Sequence, residues 1–295
     1  MRSALHRLLS PVRIARNKIF FLIFCNGFLL ALLVYFYTED NYEEKLFEVL
    51  AQQVTSSVKS NHPDSILLHS LRLTYNLEQS RLAIFQGKQV DALKSQIIRP
   101  VTYDLMTGNG ACGSYAFVLS RMLNELGVET RFAQMKVGNE YGGHIIVEAK
   151  SNDKWVALDA SYDLMFRKPQ GGFASFNDVK ENWNYYKAQT PANYDQSYNY
   201  SAVRYTNWNK IPVIMPALKG ILNITIGEKA ANEFSLRSIF LKKFDILFKF
   251  TLVFYILFTL LLIRLFKRQA AEIENFRVSL MFPKRTVPRQ AAHVA

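Results

Sequence analysis

Three residues in this chain have the types and the order needed for nucleophilic acyl chemistry: Cys112, His144 and Asp159. A cysteine attacks a carbonyl as its thiolate, a histidine moves the proton, and a carboxylate fixes the imidazole tautomer. Cys112 follows the turn cluster Gly108-Asn109-Gly110 and opens ACGSYAFVLSRMLNELG, where Ala116, Leu119, Leu123 and Leu126 repeat at helical spacing before Gly127. The thiol is therefore expected at a helix N-terminus. Unpaired N–H groups and the positive dipole end there favour thiolate and can hold an oxyanion. The competing reading is a buried structural cysteine, against which stand the neighbouring glycines at 108, 110 and 113.

His144 opens the apolar run HIIVEA directly after Gly142-Gly143. Strand alternation puts His144, Ile146 and Glu148 on one face and Ile145, Val147 and Ala149 on the other. A short turn would lay WVALD antiparallel to this strand, with Trp155, Ala157 and Asp159 sharing a face. Asp159 could then accept a hydrogen bond from one ring nitrogen and leave the other for the cysteine. Asp163 and Glu148 are weaker candidates for that orienting role. A histidine that merely fills the core is the bland alternative.

The elements that must position these groups are legible in outline. Residues 42–105 read as helical, with Leu46, Val49, Leu50, Val54 and Val58 forming one apolar stripe. His62-Pro63 breaks it, and Asp64 is placed to cap a second helix carrying Leu67, Leu68, Leu71 and Tyr75. A third short piece around Ala92, Leu93, Ile97 and Ile98 ends before Pro100. After the Cys112 helix come three strand-like stretches, Val128 to Val137, His144 to Lys150 and Lys154 to Asp159. Helix followed by three strands indicates an α+β layer with an antiparallel sheet.

Four blocks in this order resemble the transglutaminase-like superfamily: Gly110-Ala111-Cys112, Gly127-Val128-Glu129-Thr130-Arg131, His144-Ile145-Ile146-Val147-Glu148 and Trp155-Val156-Ala157-Leu158-Asp159. The resemblance spans roughly residues 103–165. It implies a papain-like core in which Cys112 is the nucleophile, His144 its base and Asp159 the orienting group. Ile146 stands where that family often has an aromatic, and Ala160 where it often has proline. Tyr103 and Asn109 are candidates for the second oxyanion donor. No cofactor and no metal are implied.

Charge and hydropathy place this core between two membrane segments. Of the formal charge of +12, each end contributes +5, residues 1–18 and 264–295, so the 245 residues between carry only +2. Basic tails flanking an almost neutral middle remove the main support for nucleic-acid binding. Ile19 to Tyr37 is uncharged over 19 residues, and Phe244 to Phe266 contains a second apolar run. A cleaved signal peptide is the rival reading of the first; its length and the lack of a small-residue cleavage site favour an anchor. The positive-inside rule puts both termini in the cytoplasm and the middle outside, in the periplasm if the cell is Gram-negative. Asn26 and Gly27, within the first segment, are read as a contact point for the second. Cys112 would then be an unpaired thiol in an oxidising compartment.

The expected organisation is a basic tail at 1–18, a transmembrane helix at 19–37 and a helical region at 38–102. A transglutaminase-like core at 103–168 follows, then an aromatic-rich arm at 169–243, a second transmembrane helix at 244–266 and a basic tail at 267–295. Between Trp183 and Trp208 the arm holds two Trp and six Tyr among amides. It is either a groove for sugar or extended peptide or, the favoured reading, an irregular strap packed over the core. The expected activity is acyl transfer or amide hydrolysis through a Cys112 thioester, on an envelope protein, cell-wall peptide or surface polymer. The alternative is a non-catalytic module that binds envelope glycan or a membrane partner.

Overall fold

The computed structural model of the chain describes residues 2–58, 62–88, 90, 96–108 and 111–281. Part of the expected helical piece at Ala92 and Leu93 falls outside these residues, as do Asn109 and the C-terminal tail from 282 onward. The chain divides into two units, one of Thr38–Ile246 and one of the apolar segments on either side of it in sequence.

Among the described residues the helices that lead into the sheet include α1 (Arg2–Ser57), α2 (Pro63–Phe85), α3 (Val101–Thr107) and α4 (Cys112–Glu125). Five strands follow, β1 (Thr130–Val137), β2 (Glu140–Ser151), β3 (Lys154–Asp159), β4 (Leu164–Met165) and, after helices α5 (Phe176–Glu181) and α6 (Trp183–Tyr186), β5 (Val203–Arg204). Helices α7 (Ile214–Ile226), α8 (Glu228–Glu233), α9 (Leu236–Ile239) and α10 (Lys243–Met281) complete the described chain. The sheet order is β4-β3-β2-β1-β5, with every pairing antiparallel.

The sheet separates two apolar layers. On one face α4 packs Tyr115, Val118, Leu119, Met122 and Leu123 against Phe132, Val147, Ala149, Val156 and Leu158, with Leu67 and Leu71 of α2 and Phe47 of α1 behind. On the other face Ala133, Met135, Ile146 and Ala157 meet Phe166, Phe176, Tyr186, Tyr194, Tyr200 and Tyr205. The aromatic arm is thus the second layer, and its tyrosines anchor it to the sheet. That is what an irregular segment needs, since it lacks a periodic apolar stripe of its own.

Local chemistry explains the boundaries. His62, not Asp64, caps α2: its Nδ1 accepts from the Asp64 N–H at 3.3 Å. Pro63 occupies the first turn, where a missing N–H costs nothing, and the Asp64 carboxylate instead accepts the Ser151 hydroxyl at 2.7 Å. Pro100 precedes α3, which starts inside the region 42–105 read as helical and runs two residues beyond it, and sits at its N-cap with φ −67° and ψ 162°. The α4 helix closes as expected through Gly127 (φ +74°), and the Val128 N–H donates to the Leu123 carbonyl at 2.9 Å. That bond assigns Val128 to the helix closure, so β1 begins at Thr130. At the other end Ser114 donates to Glu78 Oε2 at 2.7 Å, pinning the first turn of α4 to α2. Burial pushes the Glu78 carboxyl up to about 7, against the pull of that hydroxyl.

Two helices are long and apolar enough to cross a membrane, one near the N-terminus and one beginning at Lys243. Within their unit the Asn26 amide donates to Thr259 Oγ1 at 2.7 Å. A mid-segment amide thereby finds a partner on the other apolar helix, as membrane-type helix pairs do.

Candidate active site

The register of one hairpin places His144 and Asp159. Asn152 and Asp153 both have positive φ (47° and 60°) and connect β2 to β3 as a two-residue turn, the geometry that suits the twist of paired strands. Ser151 therefore pairs with Lys154, and the ladder runs to Val147 opposite Leu158. One step further Asp159 stands level with Ile146, two residues from His144 and on the same face. A second device aims the histidine. The β1–β2 register slips between Met135 and Lys136, where Met135 pairs with His144 but Lys136 with Tyr141. The extra residues are Gly142 and Gly143, and a Cβ on Gly143 would lie 2.7 Å from that of Val137. The bulge thus requires glycine and re-aims the residue that follows it.

The side chains complete what the backbone begins. His144 Nε2 lies 2.7 Å from Asp159 Oδ2, and both side chains are 1% exposed. A carboxylate only accepts, so Nε2 carries the proton and donates it. Asp159 is itself held: Oδ2 also accepts the Tyr194 hydroxyl at 3.2 Å, and Oδ1 accepts the Ser161 N–H at 3.2 Å. Burial, Tyr200 and the Asp159 charge push the Tyr194 phenol far up, so it stays a donor. Tyr198 stacks flat on the imidazole, 4.1 Å between ring centres and 8° between planes, and Tyr162 meets its edge at 6.1 Å.

Nδ1 of His144 is buried without a hydrogen-bond partner. Cys112 opens α4 and is partly accessible. Burial pushes its thiol up, but the His144 imidazole and the Ile145 backbone N–H outweigh burial and hold the thiol below its ordinary value. In turn burial lowers His144, while Asp159 and Cys112 overcome it and raise the imidazole above its usual range. Shifts of these signs favour thiolate on one neighbour and imidazolium on the other. Ala111, at the N-cap, offers no side-chain cap; the Ser114 N–H turns back to the Ala111 carbonyl at 2.9 Å, which leaves the Cys112 and Gly113 N–H groups to meet a developing oxyanion.

The structure thus brings His144 and Asp159 into contact and sets Cys112 beside the free ring nitrogen. The other candidates are engaged elsewhere. Glu148 bonds Arg131, Tyr205 and the Phe176 N–H, and Asp163 faces Arg72 at 3.6 Å. The Tyr103 hydroxyl is tied to the backbone of Val90, donating to its carbonyl and accepting its N–H, each at 3.1 Å. It is a loop staple and not an oxyanion donor. Sequence spacing could not reveal Tyr194, Tyr198 or the Ile145 N–H; the tyrosine density of the arm was the available signal.

Residues 80–160 match the family model described as the transglutaminase-like superfamily. No curated protein and no solved structure matches the chain. The matched segment contains the helix and strands that carry Cys112, His144 and Asp159. Residues 80–160 of this chain form a transglutaminase-like superfamily domain.

Proposed function

We propose that the protein is a membrane-tethered, extracytoplasmic thiol enzyme that transfers or hydrolyses acyl groups. The observation that carries this reading is the buried His144–Asp159 pair at 2.7 Å, whose second ring nitrogen is left unpartnered next to an accessible, acidified Cys112. The Cys112 thiolate attacks a carboxamide or peptide carbonyl, forming the C–S bond and a tetrahedral oxyanion at the helix N-terminus. Collapse breaks the C–N bond, and the His144 imidazolium gives its proton to the departing amine. An acceptor amine or water then loses a proton to His144 and attacks the thioester, releasing the product and restoring the thiolate. Asp159 keeps the ring oriented throughout.

The two apolar helices support tethering, and the basic tails support this orientation. This location favours an envelope protein, a cell-wall peptide or a surface polymer as substrate. Iodoacetamide labelling at pH 6 tests the chemistry, because an ordinary thiol of pKa about 8.5 is there almost wholly protonated. Cys112 should label rapidly in the intact membrane protein and Cys25 should not. An ordinary thiol profile at Cys112, unchanged with candidate substrate present, would transfer the proposal to the non-catalytic binding module. Reporter fusions test the topology: the N-terminus and Arg268 should read cytoplasmic and Asn139 extracytoplasmic. A cytoplasmic signal at Asn139 sinks the compartment assignment.

A further inference from the structure

In the folded unit Arg72, Arg99, Arg121 and Arg131 each face a carboxylate within 4 Å. The fully buried ones, Arg121 and Arg131, hold carboxylates at 2.5 and 2.7 Å. Arg204 and Arg237 are half-buried and hold none. Arg204 reaches only neutral oxygens, Gln134 Oε1 at 3.4 Å and the Tyr141 carbonyl at 3.2 Å. Arg237 has no hydrogen bond or ion pair among the described residues. Two guanidinium groups brought together without an acid is an arrangement that an anion completes.

Their position links them to the thiol. Gln134 pairs with Ile145 on one side and Arg204 on the other, so these three residues form one row across β2, β1 and β5 on the face that α4 covers. Two strand spacings make this row about 10 Å long, and at its inner end Ile145 lies against the first turn of α4, where a Cβ on Gly113, next to Cys112, would be 3.9 Å from Ile145 Cδ1. Helix α9 lies along the edge of β1 that β5 leaves unpaired. Phe132 N–H donates to Ser235 Oγ, and Ser238 Oγ donates to the Thr130 carbonyl, each at 3.1 Å. Arg237, on this helix, is destabilised by burial and by the Arg204 charge, and it is stabilised by the Cys112 thiolate. Thr206, two residues past Arg204, donates to the Phe234 carbonyl at 2.6 Å and accepts the Leu236 N–H at 3.0 Å, which brings the start of α9 alongside Arg204.

Beyond Arg204 opens a cavity of about 450 Å³, lined by Tyr141, Trp208, Lys219 and Asn223 among others. Trp208 Nε1 and Asn223 Oδ1 are buried there without partners. An indole donor, an amide acceptor and two cations around one cavity suit a polar, anionic guest.

We propose that Arg204 and Arg237 form an anion subsite beside Cys112, which selects acyl donors carrying a carboxylate near the scissile carbonyl. The cavity beyond Arg204 seats the remainder of the donor. This deepens the proposed function and rests on Cys112 being the nucleophile.

The test is a ratio of alkylation rates on the full-length protein in membranes: iodoacetate, which carries a carboxylate, against neutral iodoacetamide. A small uncharged thiol provides the reference ratio. Cys112 should exceed the reference by tenfold or more, and Arg237→Gln or Arg204→Gln should bring it within about twofold of the reference. Arg237→Lys should retain most of the preference, and it keeps the charge if the glutamine variant does not fold. Lys154→Gln, an equal loss of charge on the remote β2–β3 turn, should leave the ratio in place. The subsite is overturned if wild-type Cys112 shows the reference ratio, if the arginine variants leave the ratio unaltered, or if Lys154→Gln lowers it as much. The iodoacetamide rate at pH 6 reports the nucleophile by itself, so an ordinary rate there indicts Cys112 and not the subsite.

Discussion

Strand β2 carries two buried pairs on one face, four residues apart, and they teach opposite lessons. At Glu148 every partner is supplied. Oε2 accepts from Arg131 Nε at 2.9 Å and from the Tyr205 hydroxyl at 2.6 Å, and Oε1 accepts the Phe176 N–H at 3.0 Å. The Arg131 guanidinium lies between the rings of Trp155 and Tyr205, at 4.1 and 4.2 Å, and its remaining arm holds Glu233 at 2.7 Å. Nothing is left over to react. At His144 the carboxylate side is equally complete, yet Nδ1 has no partner. A buried polar atom left open costs stability, and here it faces the one accessible thiol among the described residues of the folded unit. The satisfied pair holds the sheet and the arm together; the unsatisfied one is available for proton transfer.

The largest effect should come from breaking the satisfied pair. Arg131→Leu strands the Glu148 charge in the interior and should cost about 3–5 kcal/mol, read from the denaturant midpoint. Arg131→Leu combined with Glu148→Leu should recover part of this, since no isolated charge remains, though Tyr205 and Phe176 lose their acceptor. Folded Arg131→Leu protein should keep wild-type labelling at Cys112; altered reactivity without destabilisation would abolish the contrast between the two pairs.

Next in size is His144→Ala, expected to slow alkylation of Cys112 at pH 6 by roughly two orders of magnitude, the drop in thiolate fraction on return to a pKa of about 8.5. The sign follows from the shifts. The thiol is lowered and the imidazole raised, so the ion pair exists from the lowered Cys112 value up to the raised His144 value. Wild-type labelling should climb in acid and level off below the ordinary thiol range, with wild type and variant converging above pH 9. Parallel profiles at all pH values would remove His144 from the site.

Asp159→Asn should be milder, about tenfold at pH 6, because the amide can still accept one hydrogen bond but no longer holds a charge beside the ring. The alkaline edge of the plateau should move down, since the Asp159 charge is what raises His144. Thermal stability should change little; a large fall would make Asp159 structural, like Glu148. The smallest effect is expected at Tyr198, whose stacked ring contributes about 0.5–1.5 kcal/mol. Tyr198→Ala should lower pH 6 labelling two- to tenfold, and Tyr198→Phe should restore it. Failure of phenylalanine to restore it would assign the effect to the hydroxyl.

The contrast also shows what could be read in advance. Alternation along HIIVEA and WVALD put His144, Glu148 and Asp159 on one face, and the register agrees because Asn152-Asp153 makes the shortest of hairpin turns. Alternation gave no means of telling a carboxylate that meets an imidazole from one that holds an arginine. Glu148 and Asp159 share a face, and their roles diverge only through partners from elsewhere in the chain: Arg131, Phe176 and Tyr205 for one, Tyr194 and His144 for the other. The cap of α2 differs from the expected one for a related reason. Asp64 and His62 both offer an acceptor near the helix start, and Ser151, 87 residues away, claims the carboxylate.

What the sequence by itself determined is local: the helix opened by Cys112, the two strands with their alternating faces, the glycine pair before His144 and the two apolar segments. Each follows from periodicity, turn chemistry or hydropathy within a few tens of residues, where backbone geometry leaves little choice. Only the tertiary structure decided which buried groups are satisfied. It laid Tyr198 on the imidazole, tied Tyr194 to Asp159 and left Nδ1 open, contacts that join residues 35 or more positions apart. Hydrogen-bond satisfaction is a property of the assembled interior, because it depends on every neighbour that burial brings within about 3 Å, and no spacing along the chain encodes that set.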